Sequence, residues 1–208
     1  MPPSASRRAA TLVVVRHGET SANTDGVWHG STDTELTARG HAQAERVAAR
    51  LARECADAVA VYASDLRRAR DTADPIGRAL GLEVRTARDL REFDLGRWEG
   101  KTYQELFTQH RLWDHMRADP HFAPHGGESP LAVAERLCAA LRAIAGWHPG
   151  ERVVVVSHGG ALSLAFGLLL DGDYAQWRRV MDNCAVSELT LDPLELLRFN
   201  DTSHLDAI

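Results

Sequence analysis

Long apolar runs are missing from this 208-residue chain. The longest late one, ALSLAFGLLL at Ala161–Leu170, falls well short of the roughly 20 residues that a membrane-crossing helix needs. The run that follows the start MPPSASRRAA stops at Arg16, too short for the core of a signal peptide. Cysteine is scarce. Cys55, Cys138 and Cys184 are odd in number and form no CxxC pair, which argues against a disulfide framework and fits a reduced, cytoplasmic setting. Positive charge is nowhere concentrated: the net charge is −5 and arginines come in short clusters, which argues against nucleic acid as the main partner. One local positive pocket remains compatible with that balance. No GxxxxGK[ST] loop is present, which argues against P-loop nucleotide chemistry. Internal repeats and low-complexity tracts are also absent.

Three short apolar runs are present instead, at Leu12–Val15, Ala58–Tyr62 and Val153–Ser157. They alternate little, as central strands covered on both faces do. Helical patterns separate them. Leu36–Glu54 carries Ala44, Val47, Ala48 and Leu51 on one face, Ala69–Leu80 includes a bend near Pro75, and Leu131–Ile144 and Ala161–Leu170 follow. This alternation predicts an α/β fold, a three-layer sandwich with a mainly parallel central sheet. SELTLDPLELLRF reads as two short strands around Asp192-Pro193, an edge hairpin near the C-terminus. Residues 1–10 are expected to form a loose tail, 11–208 a single domain, and about 101–128 a small cap inserted into it.

In open α/β sheets, ligands bind beyond the carboxyl ends of the strands. TLVVVRHGE and VVVVSHGGA share one layout there: an apolar strand, then His17-Gly18 or His158-Gly159. Two imidazoles can thus reach one crevice, with glycines allowing close backbone approach and a helix start favouring an anion. YASDLRRARDTA adds Arg67, Arg68 and Arg70 after another strand, beside the Arg16 that precedes His17. One imidazole to attack and several cations to hold three oxygens is what phosphoryl transfer needs. A neutral imidazole is a competent nucleophile near pH 7, and nearby arginines favour that neutral form.

The segments RHGET, SDLRRARDTA, LREFDLGRWEG, GGES and SHGG occur in the order of the histidine phosphatase superfamily, which the chain resembles from Leu12 to about Leu191. The resemblance implies that His17 becomes phosphohistidine. It implies that Arg16, Asn23 and Arg68 bind phosphate with Gly159 close by, that His158 is the second histidine of the phosphate pocket, and that Glu92 is the proton donor. Asp94 and Glu99 stand as alternative donors. Apolar Leu90, Phe93 and Leu95 would raise the pKa of Glu92 and the arginines would lower it, a balance that the sequence leaves open.

The cap segment contains His110, His115, His121 and His125. Their spacing lacks the tight ligand pattern of a structural metal site, and the resemblance implies no metal, so neither a metal nor another cofactor is expected. Arg111, Trp113, Arg117 and Phe122 are candidates to meet the non-phosphate part of a substrate. Ser129 at an N-cap with Pro130 at the first helical position would start the following helix, and Trp98 would pack locally. The expected function is a phosphomonoesterase acting on a small-molecule phosphate ester through phosphohistidine. A cofactor-dependent phosphoglycerate mutase-type transfer is the alternative, and a non-catalytic phospho-ligand binding module is the third reading. A compact cap favours hydrolysis, because it leaves water access to the intermediate. SDLRRARDTA with PHGGES resembles actinobacterial members that act on sugar-linked phosphoglycerates, and broad-specificity and ribazole-phosphate phosphatases are similar too. No nucleic acid and no membrane are expected as partners; a homodimer is compatible with the sequence.

Overall fold

The computed structural model describes residues 9–123, 126–176 and 178–206. Six strands form one sheet: β1 (Thr11–Arg16), β2 (Ala58–Ser64), β3 (Val84–Ala87), β4 (Arg152–Ser157), β5 (Val186–Leu191) and β6 (Leu194–Asp201), in the order β3-β2-β4-β1-β5-β6. The first four run parallel, while β5 pairs antiparallel with β1 and β6 antiparallel with β5. The C-terminal pair is the edge hairpin read from the sequence. The other edge, β3, was not read from it: VRTA offers four residues, none fully buried, so no apolar run marks it.

The sheet is buried on both faces because its central strands carry apolar residues at consecutive positions. Leu12 and Val14 of β1, with Val153 and Val155 of β4, face one side; Val13 and Val15, with Val154 and Val156, face the other. The first side is covered by α6 (Pro130–Trp147) and α7 (Gly159–Phe166), the second by α2 (Ala38–Glu54) and α3 (Arg67–Leu80). Helix α2 begins where the Thr37 side chain accepts the Gly40 N–H. Helix α3 continues through Pro75 and ends on Gly81 in the left-handed conformation. Ser129 caps α6 by accepting the Ala132 N–H, with Pro130 opening the helix. Helix α7 gives way at Phe166 to a wider π-helical turn, Gly167–Asp171, so its regular part is shorter than the apolar run suggests.

The cap is more regular than its prolines and histidines suggest. It holds two short helices, α4 (Tyr103–Thr108) and α5 (Leu112–Ala118), anchored by buried Leu106, Leu112 and Met116. Thr102 and Glu105 form a capping box on α4. Trp98 packs on His110, with ring centroids 4.6 Å apart, and Phe122 stacks on His115. Two of the cap histidines are thereby part of aromatic packing, and His125 lies outside the described residues. Most of the expected tail also lies outside them; Ala10, just before β1, is buried. Among the described residues, no helix is long and apolar enough to cross a membrane.

Candidate active site

Strand β1 ends at Arg16 and β4 at Ser157, paired in register in the middle of the sheet. The residues that follow, His17 and His158, therefore emerge side by side, with ring centroids 5.0 Å apart. Both rings are buried. The Nδ1 of His17 lies 2.7 Å from the Gly18 carbonyl oxygen. A carbonyl can only accept, so Nδ1 carries the ring proton and Nε2 keeps its lone pair. Burial, then the charges of Arg68 and Arg16, hold the His17 pKa well below its ordinary value, against the opposing pull of the Gly18 carbonyl. The nucleophilic form is the resting form.

His158 is set the opposite way round. Arg68 Nε donates to its Nδ1 at 3.2 Å, so Nε2 bears the hydrogen. Burial first, then Arg68, His17 and Arg16, push its pKa well down as well. The Nε2–H of His158 and the Nε–H of Arg16 are buried without a protein partner. Such orphaned donors each cost about 1–3 kcal/mol unless a ligand accepts from them. The arginine is anchored at its other end, where Nη1 donates to the Met181 carbonyl at 2.6 Å. A Cβ at residue 159 would lie 2.9 Å from Arg16 Nε, which explains the glycine there.

Arg68, buried at the start of α3, donates from Nη2 to the Gly30 carbonyl at 2.6 Å and from Nη1 to the Thr32 carbonyl at 2.9 Å. Glu99 holds that loop in place. Its carboxylate accepts the backbone N–H groups of Ser31 and Thr32 at 2.6 and 2.8 Å, and both hydroxyls as well. Glu99 is thus committed to the loop and is not free to act as the donor. Asp94 accepts the Gly96 N–H at 2.8 Å. Glu92, buried, accepts at Oε1 from Ala161 N and Phe93 N, at 2.6 and 2.8 Å, and at Oε2 from Gly160 N at 2.9 Å. The start of α7 therefore presents this carboxyl to the cavity that contains Arg16.

A further set of contacts joins His17 to the far end of the chain. Asn183 Nδ2 donates to the His17 carbonyl at 3.0 Å and to Asn23 Oδ1 at 3.2 Å, and Cys184 N donates to the Arg16 carbonyl at 2.9 Å. The Thr20 N–H also donates to Asn23 Oδ1 at 3.1 Å, which fixes the oxygen end of that amide. The Gly18 N–H donates to Thr72 Oγ1 on α3 at 2.9 Å. A Cβ at residue 18 would sit 2.6 Å from the Gly40 carbonyl, so only glycine fits behind the histidine.

Arg16 and Glu92 line a cavity of about 260 Å³, together with Trp28, Tyr103, Trp113, Gly159, Gly160 and Val180. Trp28, Tyr103 and Val180 had no sequence signal beyond being large and apolar. Of the four cap candidates, Trp113 reaches the cavity. Arg111 and Arg117 are exposed and paired with Asp114, and Phe122 is packed against Trp98 and His115. The Arg67 side chain is also turned away, half exposed and paired with Glu35, while its backbone N–H donates to Asp33.

A family model described as the histidine phosphatase superfamily, branch 1, matches residues 12–202. The glucosyl-3-phosphoglycerate phosphatase of Mycobacterium tuberculosis is 37% identical over 197 residues, 88% of this chain and 86% of that protein. A metal-independent phosphoserine phosphatase of Arabidopsis thaliana is 40% identical over 204 residues, 95% of this chain and 84% of that protein. The native structure of the mycobacterial glucosyl-3-phosphoglycerate phosphatase matches with a TM-score of 0.80 at 33% identity, over 94% of this chain and all of that one.

Proposed function

The chain belongs to the histidine phosphatase superfamily, and from that membership we propose that His17 is the nucleophile with which it hydrolyses small organic phosphate monoesters. The observation that carries the assignment is the pair of orphaned buried donors, Arg16 Nε–H and His158 Nε2–H, beside an imidazole whose free lone pair is at Nε2. Phosphoryl oxygens would accept from both donors, and no proton has to leave His17 before it attacks.

In the first step His17 Nε2 forms a bond to phosphorus while the ester P–O bond breaks. Glu92 gives a proton to the departing oxygen, and Arg16, Asn23 and His158 hold the phosphoryl oxygens as their charge redistributes. Arg68, to which the resemblance gives phosphate binding, already donates from Nε, Nη1 and Nη2 to His158, Thr32 and Gly30, so we assign it instead to orienting His158 and adding positive charge. In the second step Glu92 takes a proton from water, the water oxygen bonds to phosphorus, the P–N bond breaks and inorganic phosphate leaves. Each step moves one proton through one carboxyl group.

Rapid quench into alkaline detergent after mixing with a ³²P-labelled ester should trap an acid-labile, base-stable adduct in the native enzyme and none in His17→Ala. Full labelling of that variant would overturn the assignment. Transfer to a second hydroxyl instead of water uses the same groups. Incubation of 3-phosphoglycerate with catalytic 2,3-bisphosphoglycerate separates the two: phosphate release well above isomerisation is the expected result, and the reverse would make the enzyme a mutase.

A further inference from the structure

The walls of the cavity speak to the leaving group. Trp28 is their hub, with ring centroids 5.7 Å from Tyr103 and 6.1 Å from Trp113, and Val180 completes the apolar side. Of the described residues that line the cavity, Arg16 is the one cation, and its Nε lies against Gly159 at the phosphate end. The cap cations Arg111 and Arg117 are paired with Asp114, and Arg179 with Asp171.

Resting on the phosphatase reading above, we propose that this site takes monoesters whose alcohol carries an uncharged, flat, C–H-rich face, and discriminates against alcohols that carry a carboxylate. Aromatic rings offer such a face an edge or a stacking partner. A carboxylate placed between Trp28, Trp113 and Val180 would lose water without gaining a cation, and would share the cavity with the Glu92 carboxyl. At about 260 Å³ the space suits one ring beside the phosphoryl group; it is smaller than the roughly 300–1,000 Å³ of pockets for drug-sized ligands.

The test compares kcat/KM for benzyl phosphate, 4-carboxybenzyl phosphate, glucose 6-phosphate, ethyl phosphate and 3-phosphoglycerate. Benzyl, 4-carboxybenzyl, ethyl and glucose 6-phosphates all release a primary alkoxide, so the need for a proton donor is nearly constant among them. Benzyl phosphate should exceed 4-carboxybenzyl phosphate, and 3-phosphoglycerate, at least about tenfold. It should exceed ethyl phosphate by a similar factor, and Trp113→Ala should shrink that second ratio toward one. Glucose 6-phosphate above ethyl phosphate would extend the flat face to sugars; at or below it, the face is aryl. The wild-type ratios decide the matter whether or not the variant folds. Preference for either carboxylated ester, with phosphate still released, overturns this inference alone. No release from any of the five overturns the hydrolase reading with it.

Discussion

Replacing Glu92 with Gln separates two roles that the structure superimposes on one carboxyl group. Its Oε1 accepts two backbone N–H groups and its Oε2 accepts the third, from Gly160. A glutamine amide with its oxygen at the Oε1 position keeps the Phe93 and Ala161 bonds and turns an NH₂ toward the Gly160 N–H. One buried donor is then unsatisfied, which should cost about 1–3 kcal/mol of stability. That loss is read by urea unfolding and is the same whatever the substrate. The lost proton is different. It should slow formation of phosphohistidine from an alkyl ester by about 10²–10⁴-fold, or about 3–5 kcal/mol at 1.36 kcal/mol per factor of ten. A nitrophenolate leaves without a proton, so nitrophenyl phosphate should lose far less. Single-turnover rapid quench on ethyl and nitrophenyl phosphates isolates this step from any slow hydrolysis of the intermediate. Equal losses on the two esters would refute the reasoning and leave Glu92 as a group that merely braces the start of α7.

Other outcomes follow from the buried histidines and from the loop under Arg68. Because burial and the arginines keep His17 and His158 neutral in the folded state, the unfolded chain takes up protons first as pH falls below about 6.5. Stability should therefore drop on acidification from that point, by up to about 1.4 kcal/mol per pH unit for each histidine, and His158→Gln should flatten the slope; urea midpoints at pH 7.5 and 5.5 measure it, and an unchanged slope would contradict the burial argument. Glu99→Gln should let the Gly30–Thr32 carbonyls shift and Arg68 with them, lowering kcat/KM by up to about 10²-fold on ethyl and nitrophenyl phosphates alike; a loss confined to ethyl phosphate would instead make Glu99 the proton donor. Exhaustive chelation should leave turnover unchanged, since arginine and histidine supply the positive charge and donors; a loss that Zn²⁺ or Mg²⁺ restores would bring the cap histidines back as ligands.

The sheet centre and the two-histidine crevice were legible because both depend on contiguous residues. An apolar run followed by His-Gly reports a covered strand and its carboxyl end without any knowledge of partners. Arg68 was legible from its motif, but its neighbours Arg67 and Arg70 have the same chemistry, and only the packing of α3 decides which of them turns inward. Trp28, Asn183 and the loop-holding role of Glu99 were not legible. Glu99 meets Ser31 across 68 residues, Asn183 meets His17 across 166, and Trp28 meets Trp113 only through the fold; no local pattern encodes such meetings. The β3 strand escaped for the opposite reason: an edge strand with half-exposed side chains has little hydrophobic pattern to read.

The contacts from Asn183 and Cys184 to the His17 loop also set a schedule. Of the six strands, the one that leads into His17 is made first, yet its two neighbours in the sheet, β4 and β5, begin at residues 152 and 186. The Met181 carbonyl that anchors Arg16, and the Asn183 amide that ties down the His17 carbonyl, leave the ribosome later still than β4. At about 5–20 residues per second, strand β1 waits through the synthesis of the 135 residues between Arg16 and Arg152 before β4 begins, with no neighbour to pair with. Nascent chains stalled before Met181 should accordingly hold His17 without phosphorylating it, and competence should arrive in one step as the last hairpin docks.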